Sequence, residues 1–322
     1  MLPQGIFLIK PTAGDGTAVH PLWQADLRAF GPWVPAVPEG ADGDHVADPD
    51  GTEPGAVPED WLRGSGLADG TVVVAEECAT TMELAARLAA DELLGPWGAV
   101  VCARQSRGRG QLRRPWASLA GNMHASIVLP PTPEKGPWAE AMSDLLPLVV
   151  GHVVSEVLAG LGAQVRIKWP NDILQDGRKV GGMLIEERNG TSVVGVGLNL
   201  ADCPKDAQMR EDHSVPAAKI GLPFFSGGPV ALLGQLVNRG KSVYAVMLDE
   251  IPPPRFISMF ESKLAWFGRT ILVKEGDESS YEALLAGLSL NGGLVLRRGG
   301  VETVLYSGSI FPLQVPHGAG RA

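Results

Sequence analysis

Cysteine is scarce in this chain: three residues in 322, Cys78, Cys102 and Cys203, widely separated and without metal-ligand spacing. That excludes a disulfide framework and a Cys-based zinc site, and it fits a reducing cytoplasm. No run approaches the ~18 consecutive apolar residues of a membrane span, so no membrane partner is expected. The start, Met1-Leu2-Pro3-Gln4-Gly5, places no basic residues ahead of its short apolar stretch, so no signal peptide is expected either. Basic charge is also lacking: 27 Lys and Arg against 36 Asp and Glu leave a net charge of −9. Broad nucleic-acid binding needs a basic footprint, and none is present. The G-x-x-x-x-G-K-[ST] pattern is missing, which removes a P-loop as the means of holding phosphate. No internal repeat is visible.

What is present is a chain 45% hydrophobic and 20% charged, long enough for more than one core. Residues 1–70 read as an N-terminal extension and linker. Scattered apolar positions up to about residue 35, such as Ile6 to Ile9, Trp23 and Leu27, suit a strand and a short helix packed on something larger. A Pro-, Gly- and Asp-rich stretch follows, too polar to order itself. Residues 71–254 form the main body. Thr71 to Glu76 reads as a strand, and Thr80-Thr81-Met82-Glu83 as a capping box starting a helix through Leu84 and Leu88. Ala99 to Ala103 is a strand running into an Arg/Gly-rich loop, and Asn122 to Leu129 alternates like a half-buried strand. Leu146, Val149, Val153 and Val157 recur at helical spacing, with Pro147 expected in the first turn. Strands near 164–168, 180–187 and 192–200 complete an α+β domain with one large mixed sheet. Residues 255–316 read as a small all-β domain with a hairpin turn at Asn291-Gly292. Residues 317–322 are a tail.

Two segments carry chemistry. Lys168-Trp169-Pro170-Asn171-Asp172, followed by Lys179-Val180-Gly181-Gly182, puts a carboxylate, an amide and a cation at the mouths of neighbouring strands. Core packing has no use for that set, whereas a charged ligand could meet all three. The loop from Arg104 to Trp116 has glycines on both sides of Arg109. They let backbone approach a ligand while guanidinium groups hold carboxylate or phosphate in fork geometry. Read without the rest of the chain, that loop is equally an ordinary solvated basic loop.

Together the segments resemble the biotin protein ligases. The match runs through Gly108-Arg109-Gly110 with Arg114 and Trp116, Ser118 to Ser126, Lys168 to Asp172, Lys179 with Gly182 and Glu186, and Gly195 to Asn199. The resemblance covers about 72–200. It implies a mixed sheet flanked by helices, like that of class II aminoacyl-tRNA synthetases, with an SH3-like C-terminal β-barrel. It also implies an enzyme using ATP and Mg²⁺ to form biotinyl-5′-AMP. Biotin would then pass to a lysine of a biotin carboxyl carrier protein domain. By the same resemblance, Arg109 and Lys179 are catalytic. Thr80, Thr81, Met82, Gln105, Arg109, Gly110, Gln111, Trp116, Lys179 and Gly182 meet biotin. Arg109, Arg114, Trp116, Asn171, Lys179 and Asn199 meet the adenylate, and Asp172 ligates the metal. Lys168, Trp169 and Glu186 are expected to hold the frame, and His124 to be a packed histidine.

Thr80 fits equally as a helix cap, and Trp116 as a core aromatic. Members often place arginine where Gln111 stands, glycine at Arg113 and asparagine at Met82, which bears on adenylate retention and the biotin wall. Some carry an N-terminal winged helix-turn-helix; residues 1–70 show neither paired amphipathic helices nor a basic recognition face, so no DNA binding is expected. A homodimer is compatible with the sequence. The alternatives are a lipoate- or octanoate-transferring relative and a catalytically silent biotin-binding protein.

Overall fold

The computed structural model describes residues 1–10, 20–36, 58, 60–65, 70–111, 114–188, 190–205, 215–276 and 280–313. Its centre is the strand β4 (Thr71–Cys78), paired in parallel with β5 (Ala99–Gln105). Parallel strands covered on both faces favour unbroken apolar runs, and Val72, Val73 and Val74 are each at most 1% exposed. Alternation splits them. Val72 and Val74 join the larger core on one face, while Val73 and Ala75 join the smaller core on the other.

Antiparallel strands extend the sheet from β5: β6 (Met123–Val128), β10 (Thr191–Leu198), β9 (Arg178–Arg188), β8 (Asp172–Gln175) and β7 (Arg166–Lys168). On the other side of β4 lie β1 (Gly5–Ile9), β3 (Trp61–Arg63) and β2 (Val34–Pro35), making ten strands in all. The expected extension and linker therefore supply part of the main sheet. Leu2, Phe7 and Trp61 are buried against the smaller core, which is what orders these short strands. The remainder of the expected linker and the 317–322 tail lie outside the described residues.

One sheet face is covered by α2 (Thr81–Ala90), which Thr80 caps by accepting the Glu83 amide at 3.0 Å. Such a cap contributes about 1 kcal/mol. The other face is covered by α3 (Trp138–Gly160) and α4 (Pro229–Glu250). Pro147 lies in the interior of α3 instead of its first turn. The helix begins earlier because Trp138, Met142 and Leu145 anchor it in the core, each at most 2% exposed. That burial offsets the backbone hydrogen bond a mid-helix proline removes. By length and composition α3 could cross a membrane, yet its apolar surface is consumed by the protein core.

The short helix α1 (Pro21–Ala29) is tied to α4 through Asp26. Its carboxylate accepts the amides of Gly228, Val230 and Ala231 at 2.9, 2.7 and 3.2 Å, meeting the orphan donors of a helix start. Burial raises the Asp26 carboxyl, and those three amides work against the rise.

After α5 (Pro253–Glu261) comes a separate five-stranded sheet. Its strands are β11 (Thr270–Lys274), β12 (Tyr281–Leu288), β13 (Leu294–Arg298), β14 (Val301–Leu305) and β15 (Ser309–Pro312), ordered β14-β13-β12-β11-β15. The arrangement is antiparallel throughout and matches a small barrel-like module. The Asn291-Gly292 turn joins β12 to β13, with Gly292 at φ 75°, a value that favours glycine. It also docks on the main body. Asn291 donates to Asp144 at 2.7 Å, and the Trp169 indole donates to the Gly292 carbonyl at 2.9 Å.

Candidate active site

A cleft of about 250 Å³ opens on the α2 face, beyond the start of that helix. Its floor is β6 and β10, where Gly195 and Gly197 stand at positions pointing into the cleft. A side chain at Gly197 would collide with the Trp116 ring at 2.5 Å. Glycine there seats the indole flat against the sheet.

The Arg/Gly loop forms one wall. It folds back on itself: the Gly110 amide donates to Arg114 at 2.7 Å, and the Trp116 amide donates to Gly108 at 2.9 Å. The two glycines differ in purpose. A Cβ at Gly108 would meet the Trp116 carbonyl at 2.9 Å, so packing demands glycine there. At Gly110 the nearest atom is 3.9 Å away, leaving room for a ligand. Trp116 is fixed at its other edge, where its indole donates to His124 Nδ1 at 3.3 Å while Nε2 of that ring donates to the Leu119 carbonyl at 3.3 Å. Burial pushes His124 down to about 4, so the ring is neutral and serves as a support.

Arg109 is held between two carboxylates, Glu83 at 3.5 Å and Glu186 at 3.1 Å. Its Nε is buried and has no hydrogen-bond partner among the described residues. An unpaired buried donor is costly unless a ligand meets it. Gln105 closes this end: its side-chain oxygen accepts the Thr81 amide at 2.9 Å, and its own amide donates to Ser118 at 2.8 Å.

At the far end Asp172 starts β8. Its two oxygens meet Lys179 at 2.5 Å and Lys168 at 3.0 Å. Burial would raise this carboxyl, but the two ammonium groups outweigh burial and hold it below the usual carboxylate range. The preceding turn is clamped to β9: the Asn171 side chain donates to the Met183 carbonyl at 2.6 Å, and the Met183 amide donates to Asn171 at 2.9 Å. Lys179 Nζ also lies 5.8 Å from the Trp116 ring centroid. Gly308 and Ser309 of the C-terminal sheet complete the rim.

The structure thus brings Thr81, Met82, Gln105, Arg109, Gly110, Gln111, Arg114, Trp116, Asn171, Asp172, Lys179 and Gly182 around one cleft. It does not bring Thr80 there, because its hydroxyl is spent as the cap of α2. Nor does it bring Asn199, which is 4% exposed and donates to the Ala218 carbonyl at 3.1 Å. Gly181 and Gly182 also divide. A Cβ on Gly181 would strike the Gly197 carbonyl at 2.5 Å, a strand-packing need, whereas Gly182 lines the cleft with nothing closer than 3.6 Å. Arg113 lies outside the described residues.

Magnesium prefers several oxygen ligands. Both oxygens of Asp172 are engaged by ammonium groups, and no cluster of three His, Cys, Asp or Glu side chains occurs among the described residues. Among the described residues the donor set does not fit a metal held by protein ligands alone. Mg²⁺ carried on ATP phosphates, however, needs only one or two carboxylates, and Asp172 is the one placed at this end of the cleft. Asp172 also places two lysines. Residues the sequence reading passed over are Ser126, which meets the Thr81 hydroxyl at 2.8 Å, and Ser309. Ser126 alternates in phase with His124 on β6, a signal that marks the shared face; Ser309 gave none.

The model of the Biotin/lipoate A/B protein ligase family matches residues 80–200. A biotin–[acetyl-CoA-carboxylase] ligase of Paracoccus denitrificans is 27% identical over 217 residues, covering 66% of this chain and 89% of that protein. The bifunctional ligase/repressor BirA of Escherichia coli is 28% identical over 219 residues, and the match spans 66% of this chain and 65% of the relative. Among solved structures, a biotin protein ligase from Aquifex aeolicus in complex with biotin and ATP aligns with a TM-score of 0.58 at 24% identity. That alignment covers 74% of this chain and 97% of the other, and it shows a shared fold.

Proposed function

Because the chain belongs to the biotin/lipoate protein ligase family, as an enzyme of the biotin ligase type, we propose that its cleft joins biotin to ATP and passes the product to a protein lysine. In the first step a carboxylate oxygen of biotin bonds to the α-phosphorus of ATP. The bond to the bridging oxygen breaks, and its electron pair leaves with pyrophosphate. In the second step the amine of a lysine on a biotin carboxyl carrier domain bonds to the carbonyl carbon of biotinyl-5′-AMP. The bond from that carbon to the AMP oxygen breaks, and the amine proton goes to solvent.

Two anions must meet in the first step, and the cleft's charges answer that need. Lys179 is the compact donor to the α-phosphate, where charge grows at the transition state. Arg109 takes the biotin carboxylate and then the phosphate, its unpaired Nε being one donor. Gly110, Gln111 and Arg114 pass close to the adenylate, and Trp116 packs against it. Thr81, Met82 and Gln105 form the biotin wall at the α2 end, and Asn171 holds the turn that carries Asp172. The observation that carries the reading is the pairing of Arg109 and Lys179 at opposite ends of one cleft with Trp116 between them.

The test is acceptor mass. The purified protein with Mg-ATP is offered biotin, lipoate or octanoate together with a carrier domain. Addition of a biotinyl group, abolished in Lys179→Ala, is expected. Addition of lipoyl or octanoyl alone would overturn the reading. So would biotin binding in calorimetry with no transfer, the mark of a silent binding protein.

A further inference from the structure

A second cavity, of about 350 Å³, lies on the opposite face of the main sheet. Ile127 of β6 with Val194 and Val196 of β10 form its floor, and Val149, Val150 and Val153 of α3 its roof. It plays no part in the proposed reaction. It opens to solvent, and its aliphatic walls forgo the packing contacts that a ligand of matching shape would supply.

The mouth carries an independent sign of use. Trp97 and Tyr244 both line it and meet edge to face, with ring centroids 5.7 Å apart and planes at 71°. The backbone of Trp97 sits at φ 65°, a left-handed value that costs a bulky residue energy and recurs at ligand clamps. The strain is held by its amide, which donates to the Val128 carbonyl at 2.7 Å, and by packing of the ring over Gly240. An aromatic pair, one member of it held in a strained backbone conformation, thus borders the cavity.

We propose that this cavity binds an uncharged medium-chain aliphatic ligand, an alcohol or ester, with the hydrocarbon between α3 and the sheet and its polar end beside Tyr244. Size sets the length. A dry apolar cavity of roughly 150 Å³ accepts benzene, so one more than twice as large accepts a chain of about eight to twelve carbons. Charge sets the head group. Among the described residues the one charged group lining the cavity is Glu187, which opposes a free carboxylate, while Tyr244, Thr132 and Ser192 can hydrogen-bond an alcohol or ester.

The probes are 1-hexanol, 1-octanol, 1-decanol and 1-dodecanol, with affinity read by calorimetry and tryptophan fluorescence. Saturable one-to-one binding should tighten about fourfold per added methylene and then level off once the cavity is full. Decanoate should bind at least tenfold more weakly than 1-decanol. Val150→Phe, which fills the roof, should weaken 1-decanol at least tenfold. Val153→Met is the milder variant should the first not fold, checked by an unchanged urea midpoint. No saturable binding, or equal affinity in a folded filled variant, would overturn the site. Equal affinity for decanoate would overturn the uncharged class.

Discussion

The two ends of the candidate cleft are built with opposite ratios of charge. At one end a single carboxylate, Asp172, serves two ammonium groups, Lys168 and Lys179. At the other a single guanidinium, Arg109, faces two carboxylates, Glu83 and Glu186. The lysine end sits on sheet strands and a clamped turn, and it keeps a cation in surplus. That is the preorganised form of an anion site. Arg109 sits on a loop and itself faces two carboxylates, so an entering anion must compete for it. Each glutamate has a second guanidinium at hand, Arg107 at 3.7 Å from Glu83 and Arg188 at 3.1 Å from Glu186. Arg109 can therefore turn to a ligand without leaving either carboxylate alone. On the proposed reaction the lesson is a division of labour, with a fixed site suited to phosphate at one end and a releasable clamp at the other.

The largest test falls on the fixed end. Lys179→Ala should lower the rate of pyrophosphate release about 10²- to 10³-fold, the usual result of deleting one preorganised donor. Lys168→Ala should cost less than about tenfold, because that ammonium is spent on Asp172 and lies 5.1 Å from the Phe311 ring centroid. Equal losses in the two variants would erase the distinction between donor and support.

Acid pH separates the same two kinds of group. Burial sets His124 and His152 at about 4, below the ordinary 6.5. Unfolded chains then bind more protons than folded ones between those values. Stability is full above about pH 6.5 and falls as pH drops toward 4, by about 2–3 kcal/mol for each histidine. Asp172 is held low, so its contribution is present above the ordinary carboxylate range and is lost only as pH falls below it. Urea midpoints between pH 7 and 4.5 should thus decline in the wild type, with about half the slope in His124→Gln. A wild-type decline confined to below pH 4 would assign the acid response to carboxylates instead.

Much of this was legible in the sequence where local chemistry and tertiary need agree. Val72 to Val74 form a buried parallel strand by composition alone, and Thr80 caps its helix as its spacing with Glu83 indicated. Arg109 and the Lys168-to-Lys179 segment are 59 or more residues apart in sequence yet line one cleft, and only the family resemblance joined them beforehand. What stayed hidden depended on distant partners. The strand at Ile6 to Ile9 was expected, but β3 inside the supposed linker was not, and Trp61 orders it by packing on a core built elsewhere. The helix α4 runs unbroken through Gly234 and Gly240, poor helix formers, and starts on a cap 202 residues away, at Asp26. Asn199 matched a motif, but whether its amide faces a cleft or a carbonyl depends on the segment around Ala218.

The clamp end predicts smaller effects. In Glu186→Gln the guanidinium of Arg109 loses one competitor. Both side chains are over a quarter exposed, at 27% and 28%, so the pair is worth at most about 1 kcal/mol. Biotin affinity by calorimetry should rise by up to about fivefold. A fall instead would make Glu186 the residue that aims Arg109, and the clamp would be a scaffold.

The smallest effect is expected at Gln111, which is exposed on the cleft rim beside Gly110. Its amide can hydrogen-bond an adenylate but adds no fixed charge to an end where carboxylates already outnumber Arg109. Gln111→Arg would supply a cation that no glutamate has claimed. A solvent-exposed charge contributes only about 0.5–1 kcal/mol, so the half-life of enzyme-bound biotinyl-5′-AMP should lengthen about two- to fivefold. The gain should shrink as ionic strength rises from 0.05 to 0.5 M, since exposed charges are screened over shorter distances there. An unchanged half-life would mean that the intermediate is retained by the lysine end and Trp116 alone, and that the loop governs entry without governing release.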